Sequence, residues 1–143
     1  MATIAPNWVA SDTKALPPDE DSGRLVVVVE DDRLVRVAVA AYLRELGCEV
    51  VATSRADQAA LVLSSLHRQP RLILCDYGLI DGEDGLQVLA EARRQLGGDV
   101  MAYLMTGMVG RDVLNRCEEA GIPVLFKPVS PDALANIVHK VCR

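Results

Sequence analysis

Residues 25–32 read Leu-Val-Val-Val-Val-Glu-Asp-Asp, an apolar run followed directly by acidic residues. An uninterrupted run rich in β-branched residues predicts a strand that is buried on both faces, as in the centre of a parallel sheet. The acidic residues then follow the carboxyl end of this strand, where open α/β sheets carry their functional groups. This stretch therefore predicts the fold class, and also the edge of the sheet at which a site should lie.

Short apolar runs alternate with helical patterns through the rest of the chain, which is the sequence form of repeated βαβ units. We expect an α/β fold in which a doubly wound, five-stranded parallel sheet carries helices on both faces. Because crossovers are right-handed, few topologies remain, and the flavodoxin-like strand order 2-1-3-4-5 is the expected one. The predicted strands are 25–29, 48–52, 72–75, 100–105 and 124–126. The predicted helices are 33–46, a helix through 59–66 capped by Ser54 or Asp57, 85–96, 111–120 and 132–141.

The chain of 143 residues, half of them apolar, is long enough for one domain with a single core. We place that domain at residues 24–143. Residues 1–23 contain three prolines and the acidic stretch 19–21 but no sustained periodicity, which predicts a flexible tail or an interdomain linker.

Composition also bounds the class of partner and the compartment. The net charge of −5 and the lack of a Lys/Arg cluster argue against a nucleic-acid partner, because such affinity depends on cations that contact phosphates. No apolar run approaches the roughly 20 residues that a bilayer requires, and no signal-peptide pattern is present. We therefore expect a cytoplasmic protein without membrane contact.

The cysteines lack paired ligand spacing and are expected to be reduced core thiols: Cys48, Cys75, Cys117 and Cys142.

Polar side chains follow the other predicted core strands as well. Asp76 comes directly after the third strand and opens a glycine-bearing loop, while Lys127 follows the fifth. Thr106 ends the fourth strand. In the order 2-1-3-4-5 the ends of strands one and three are neighbours, so Glu30, Asp31 and Asp76 are expected to converge.

Three converging carboxylates repel one another by about 1 to 4 kcal/mol per pair at the effective dielectrics of protein surfaces, so a cation must offset their charge. Mg²⁺ is the natural candidate, because it prefers oxygen ligands, takes one or two carboxylates and leaves room for a phosphate oxygen. The acids after the first strand would also suit a helix N-terminus, where they are favourable by about 0.3 to 1 kcal/mol. The expected metal ligands are Glu30, Asp31, Asp76 and the backbone carbonyl of Gly78.

With a metal site beside it, Asp76 is placed for in-line attack on a phosphorus atom, which would give an aspartyl phosphate. The transition state carries charge on its equatorial oxygens. Lys127 and the hydroxyl of Thr106 are the groups that would stabilise this charge together with Mg²⁺. Gly107 would keep the approach to Asp76 open.

Four runs of the sequence resemble the receiver domains of two-component response regulators. They are Val-Val-Val-Glu-Asp-Asp-Arg-Leu-Val-Arg at 27–36, Cys-Asp-Tyr-Gly-Leu-Ile-Asp-Gly-Glu-Asp-Gly-Leu at 75–86, Leu-Met-Thr-Gly at 104–107 and Val-Leu-Phe-Lys-Pro-Val at 124–129. The resemblance covers about residues 24–143. It implies a phosphoacceptor module that is not an ordinary enzyme but assists its own phosphorylation and dephosphorylation. A histidine kinase or a histidine phosphotransfer protein would donate the phosphoryl group.

The resemblance also implies a role for each strand-end residue. The family's Lys-Pro bond is usually cis, which implies a cis Lys127-Pro128 bond. Val124 stands where the family usually has a switch aromatic, so the paired motion of hydroxyl and ring has no ring to move. The stretch 121–129 resembles the C-terminal receivers of hybrid sensor histidine kinases. The matching positions are the phosphoacceptor Asp76, the acidic metal pair Glu30 and Asp31, the metal-binding carbonyl of Gly78, the switch hydroxyl of Thr106 and the phosphoryl-stabilising Lys127.

The helix predicted at 33–46 is apolar almost all round, which is unusual for a surface helix. Its core face is expected to include Ala38. Opposite that face lie Leu34, Val37 and Ala41. In receivers this face commonly packs on the histidine-bearing helices of the donor, so we predict that a partner docks there. A homodimer contact, or small apolar residues that are simply tolerated, is the alternative.

Two other functions fit parts of the pattern. A haloacid-dehalogenase-like phosphatase also uses an aspartyl nucleophile, but on its first strand and with a second Asp two residues further on, where this chain has Gly78. A pseudo-receiver that binds partners without phosphorylation is indicated by Val124 and opposed by the complete set of acids and lysine. Neither Gly78 nor Met108 can orient an attacking water, so slow self-dephosphorylation is expected.

Overall fold

The computed structural model of this chain describes residues 24–66, 68–79, 82–97, 100–107 and 109–141. The tail or linker predicted at 1–23 lies outside these ranges, as do Met108 and Cys142. Over the described residues, no helix combines the length and the apolarity that crossing a bilayer requires.

Five parallel strands form one sheet over the described residues, in the order β2-β1-β3-β4-β5 that the alternation of elements predicts. The strands are β1 (Leu25–Val29), β2 (Glu49–Thr53), β3 (Leu72–Asp76), β4 (Met101–Thr106) and β5 (Val124–Phe126). The helices are α1 (Arg33–Glu45), α2 (Ala56–Leu66), α3 (Gly85–Leu96), α4 (Arg111–Ala120) and α5 (Pro131–Val141). The doubly wound α/β fold is therefore confirmed.

The core has two layers, one on each face of the sheet, and β1 contributes side chains to both. Leu25, Val27 and Val29 face a layer that also contains side chains of α2, α3 and α4. Val26 and Val28 face the second layer, which they share with α1 and α5. Every residue of β1 is buried, which explains why its sequence is apolar without alternation.

Several strand boundaries differ from the predicted ones by one residue. β2 begins at Glu49 because the Cys48 N–H donates to the Leu43 carbonyl at 3.1 Å and so completes the turn after α1. β3 includes Asp76, which pairs with Met105 of β4. β4 likewise extends one residue further than predicted, to where it pairs with the last residue of β5. The candidate phosphoacceptor is thus held by the sheet itself.

Two helix starts also correct the prediction. α2 begins at Ala56, so the residue directly before it is Arg55, whose carbonyl accepts the Ala59 N–H, and not the predicted Ser54 or Asp57. Asp57 lies inside the first turn and forms an ion pair with Arg55 at 3.1 Å. α5 begins at Pro131, one residue earlier than predicted, because proline suits the first helical position, where no N–H is needed.

α1 buries the predicted face except at one position. It ends at Glu45, with Leu46 as its C-cap. Ala38, expected in the core, is exposed, whereas Ala40 is buried. The reason is that α1 contacts β2 and α5 as well as β1, so three neighbours set its buried arc. The exposed apolar face of α1 consists of Leu34, Val37, Ala38 and Ala41.

Candidate functional site

The carboxyl ends of β1 and β3 lie side by side, because these two strands pair directly. Glu30 and Asp31 follow β1 and Asp76 ends β3, and carboxylate oxygens of the three lie within 4.8 Å of one another. Glu30 is fully buried and Asp76 is 7% exposed, whereas Asp31 is half-buried. The fold thus brings together the three acids that were expected to converge.

Lys127 reaches these acids from the end of β5. Its Nζ lies 2.6 Å from Oε2 of Glu30 and donates a hydrogen bond of 2.9 Å to Oδ1 of Asp76. The Lys127 N–H donates to the Thr106 carbonyl at 2.7 Å, so the pairing of β4 with β5 sets the position of the lysine. Thr106 is itself buried, on the strand next to Asp76. The Lys127-Pro128 bond is cis.

Burial dominates the electrostatics of the site. It raises the pKa of Glu30 from 4.5 to about 7, against the opposing effects of Lys127 and of the Asp32 N–H. Burial also raises the pKa of Asp76 in spite of Lys127, and the nearby Asp31 adds to the rise. For Lys127, burial favours the neutral amine, but the contacts with Glu30 and Asp76 outweigh it and raise the pKa. A charged ammonium therefore faces carboxyl groups that are costly to ionise.

A hard divalent cation fits this set of groups. All three acids offer carboxylate oxygens, which are ligands that Mg²⁺ prefers. Oε2 of Glu30 is buried and, among the described residues, accepts no hydrogen bond of normal geometry; the structure gives it only the ion contact with Lys127. A carboxylate oxygen has more than one lone pair, so Oε2 can face a metal ion as well as the lysine.

The acidic residues between β1 and α1 were interpreted either as a helix cap or as part of a carboxylate cluster, and the structure shows both arrangements. Asp32 caps α1, since its Oδ1 accepts the N–H groups of Leu34 and Val35 at 2.9 and 3.2 Å. Oε1 of Glu30 accepts the Asp32 N–H at 3.1 Å. The capping alternative therefore holds for Asp32 alone, while Glu30 and Asp31 join the carboxylate cluster.

Arg36 holds the backbone that carries the acidic pair, a role that was not predicted from the sequence. Its Nη1 donates to the carbonyl oxygens of Glu30 and Asp31 at 2.9 and 3.4 Å. A cation near the N-terminus of a helix opposes the helix dipole, so the position of Arg36 was a sequence signal that its side chain has another role. Arg36 therefore orients the two residues from which the carboxylates project.

Gly85 allows the loop after Asp76 to fold back on the end of β3. A Cβ atom at Gly85 would lie 2.0 Å from the Asp76 carbonyl oxygen, so no other residue fits without a backbone shift. The Gly85 N–H donates to the Tyr77 carbonyl at 2.8 Å, and Gly78 forms an antiparallel bridge with Asp84. The sequence predicted Gly85 only as the start of a helix, although the glycine itself was a signal of close approach.

The remaining predicted positions lie around this cluster. Gly107 follows β4, and a Cβ atom there would meet no described atom within 4 Å, so the space beside it is open. Val124 begins β5, is half-buried and packs against the core layer of α2, α3 and α4. On α1, Leu34 is 81% exposed, Val37 is 57% exposed and Ala41 is exposed as well. The predicted docking residues are therefore accessible.

Comparisons with known proteins point to one family. The sequence profile described as response regulator receiver domain matches residues 26–139. The transcriptional regulatory protein PdtaR of Mycobacterium tuberculosis is 32% identical over 108 residues, which are 75% of this chain and 51% of that protein. The phyllosphere-induced regulator PhyR of Methylorubrum extorquens is 30% identical over 120 residues, which are 84% of this chain and 44% of that protein.

A solved structure gives the same result for the fold. The response regulator receiver domain protein (CheY-like) from Methanospirillum hungatei is similar with a TM-score of 0.70 and 25% identity. The match covers 82% of this chain and 93% of that one. By contrast, the chain spans about half the length of the curated relatives that it matches.

Proposed function

The chain belongs to the response regulator receiver domain family of two-component systems, and from this premise we propose that it accepts a phosphoryl group on Asp76. The donor is a phosphohistidine of a histidine kinase or of a histidine phosphotransfer protein, and phosphorylation changes how the chain binds its partners. One observation carries the proposal: Asp76 lies in a cluster of carboxylates within 4.8 Å of one another, with the Lys127 Nζ 2.9 Å from its Oδ1.

In this step an oxygen of the Asp76 carboxylate attacks the phosphorus atom as the P–N bond to the donor histidine breaks. The phosphoryl group becomes bonded to Asp76 as an acyl phosphate, and the leaving imidazole keeps the electron pair and takes up a proton. Only the ionised carboxylate can attack. The ammonium of Lys127 favours that form, because it opposes the rise that burial causes in the pKa of Asp76.

Further residues of the chain stabilise the transferred group. Lys127 keeps its proton and pairs with one phosphoryl oxygen, while the hydroxyl of Thr106, at the end of the adjacent strand, donates to another. Gly107 leaves the approach to Asp76 open. Bound Mg²⁺ would neutralise charge on the phosphoryl oxygens. Its proposed ligands are the side chains of Glu30, Asp31 and Asp76 and the backbone carbonyl of Gly78.

Incubation with acetyl phosphate and Mg²⁺ tests this proposal. We expect the intact mass to rise by one phosphoryl group that is stable in acid and released by base, because an acyl phosphate forms. The rise should be absent in Asp76→Asn, whose amide is a poor nucleophile, and absent when a chelator removes Mg²⁺. A modification that persists in Asp76→Asn would contradict the assignment of the phosphoacceptor.

The exposed face of α1 is where we propose that the phosphohistidine donor docks. Leu34 and Val37 are large apolar side chains that the described part of the chain leaves uncovered, on the helix that directly follows Glu30 and Asp31. Ala41 extends the same face by one turn. A homodimer through this face is the competing use, and a concentration-independent sedimentation coefficient in the phosphorylated and unphosphorylated states would argue against it.

The chain is not proposed to be an enzyme in the ordinary sense, because the group that it phosphorylates is its own. From the resemblance of the stretch 121–129 we also propose an origin in a hybrid sensor histidine kinase; a stand-alone receiver is the alternative. Because Gly78 cannot activate a water molecule, we also propose that phospho-Asp76 persists for much longer than seconds.

One alternative keeps an observation in its favour. A pseudo-receiver that acts as a scaffold is favoured by Val124, which offers no ring to couple to Thr106. Absence of Mg²⁺ binding near Asp76 in a titration would support the scaffold. The phosphatase alternative has no comparable support, because Asp76 ends the third strand and Gly78 occupies the place of the required second acid.

A further inference from the structure

One ion pair ties α4 to the loop that follows Asp76. Nη2 of Arg116, in α4, lies 2.7 Å from Oδ2 of Asp84. The other carboxylate oxygen of Asp84 accepts the Leu86 N–H at 2.9 Å and so caps α3. The backbone of Asp84 also forms the antiparallel bridge with Gly78. A single aspartate therefore joins α4, the start of α3 and the residue two positions after Asp76.

Backbone hydrogen bonds on both sides of this bridge make it a firm connection. The Leu79 N–H donates to the Glu83 carbonyl at 3.3 Å, and the Gly85 N–H donates to the Tyr77 carbonyl at 2.8 Å. Gly85 in turn lies against the backbone of Asp76, with no room for a side chain. A displacement of Asp84 is therefore passed to the backbone at Gly78.

We propose that Arg116 is a positioning residue for the metal site: its ion pair with Asp84 holds the Gly78 carbonyl where it can bind Mg²⁺. This inference rests on the proposed function, since it concerns the same Mg²⁺. Coupling between two sites is reciprocal, so Mg²⁺ bound near Asp76 also restrains α4. The link gives α4 a connection to the phosphorylation site that needs no aromatic ring at position 124.

The sign of one substitution separates positioning from simple charge. Removal of a cationic side chain near a metal site strengthens cation binding by Coulomb's law. If Arg116 positions Gly78, its removal weakens Mg²⁺ binding although a positive charge has been taken away. Removal of an arginine that does not act on this loop would not weaken Mg²⁺ binding.

Arg93 provides the matched control. It lies on α3, and its Nη1 donates to the carbonyl oxygens of Ala120 and Gly121 at 3.2 and 3.3 Å. Arg93 therefore also joins α3 to α4, but at the C-terminal end of α4, away from Asp84. Arg93→Gln and Arg116→Gln remove the same charge from the same pair of helices.

Calorimetric titration of the whole chain with Mg²⁺ is the first test. We expect Arg116→Gln to lower the affinity about two- to fivefold, the range of a partly exposed ion pair. Arg93→Gln should leave the affinity unchanged or raise it slightly. Asp84→Asn keeps a good capping group but loses the ion pair, so in that background Arg116→Gln should no longer weaken Mg²⁺ binding.

Hydrogen exchange is the second test. Mg²⁺ should slow the exchange of amides in α4 in the wild type and in Arg93→Gln, but not in Arg116→Gln. An Mg²⁺ affinity that is unchanged in Arg116→Gln, or that rises as in Arg93→Gln, would overturn this inference and leave the proposed function intact. A wild-type chain that binds no Mg²⁺ would overturn both.

Discussion

At the scale of one residue, Glu30 is a group whose burial lowers the stability of the metal-free protein. Its side chain is fully buried, and its pKa is raised to about 7, chiefly by burial. A buried carboxylate loses its hydration, and an ion pair seldom compensates fully for that loss. Local rules of stability are often broken at functional sites, and the burial of Glu30 is consistent with the site proposed above. The cluster is thus expected to destabilise the metal-free fold near neutral pH.

A pH dependence of stability follows from Glu30. Because its pKa is higher in the folded chain than the ordinary 4.5, the folded state holds more protons between pH 4.5 and about 7. The free energy of unfolding should therefore fall as pH rises through this window, by at most about 1.4 kcal/mol per pH unit from this group. Urea unfolding of the metal-free chain measures the fall.

Glu30→Gln is the control for that measurement. It keeps the size of the side chain but cannot ionise, so the fall in stability should be smaller. A residual fall is expected, because the pKa of Asp76 is raised in the same direction. Equal slopes in the wild type and in Glu30→Gln would show that Glu30 ionises freely in the folded chain.

Arg36 gives a prediction about the positioning of Glu30 and Asp31, on the other side of the proposed metal site. Arg36→Lys keeps the charge but replaces the guanidinium that donates to the carbonyls of Glu30 and Asp31. We expect a loss of about 1 kcal/mol, or about fivefold, in Mg²⁺ affinity, the worth of one hydrogen bond. Arg44→Lys, in the last turn of α1, should change nothing. A similar loss in both variants would assign the effect to α1 as a whole.

At the scale of elements, the helices on the two faces of the sheet differ in what they offer: an exposed apolar surface on one face, and an ion pair to the loop after Asp76 on the other. α1 lies with α5 on one face, and it carries the uncovered apolar residues next to the acidic loop. α3 and α4 lie on the opposite face, where the Arg116–Asp84 pair joins them to the loop after Asp76. A donor bound at α1 would therefore leave α4 accessible to a different partner.

The proposed docking of the donor on the exposed apolar face of α1 can be tested by comparing two phosphodonors. Val37→Asp should slow phosphotransfer from a phosphorylated histidine phosphotransfer protein about tenfold or more, because a charge replaces an apolar contact at the centre of the interface. Phosphorylation by acetyl phosphate should stay at the wild-type rate. Leu61→Asp, on α2, is the control, since Leu61 is 71% exposed but lies on the opposite face of the sheet. Loss with both donors would indicate damage to the site itself.

At the scale of the whole molecule, prediction succeeded where a local pattern and a rule of handedness were enough. The buried run at 25–29, the alternation of elements and the right-handed crossovers led to the strand order that the sheet has. That order brings Glu30 and Asp76 together. The predicted core face of α1 was wrong at Ala38. Contacts with β2 and α5 decide which residues of α1 are buried, and helical periodicity does not encode those contacts.

The sequence by itself determined the fold class and the edge of the sheet at which Glu30, Asp31, Asp76 and Lys127 meet. These depend on residues within one strand and the loop after it. Only the tertiary structure decided what Arg36, Gly85 and Arg116 contact, because each contact depends on how a loop folds against a neighbouring element. Asp84 and Arg116 lie 32 positions apart in the chain. No local pattern around either residue indicates that they meet, and their ion pair connects α4 to the loop after Asp76.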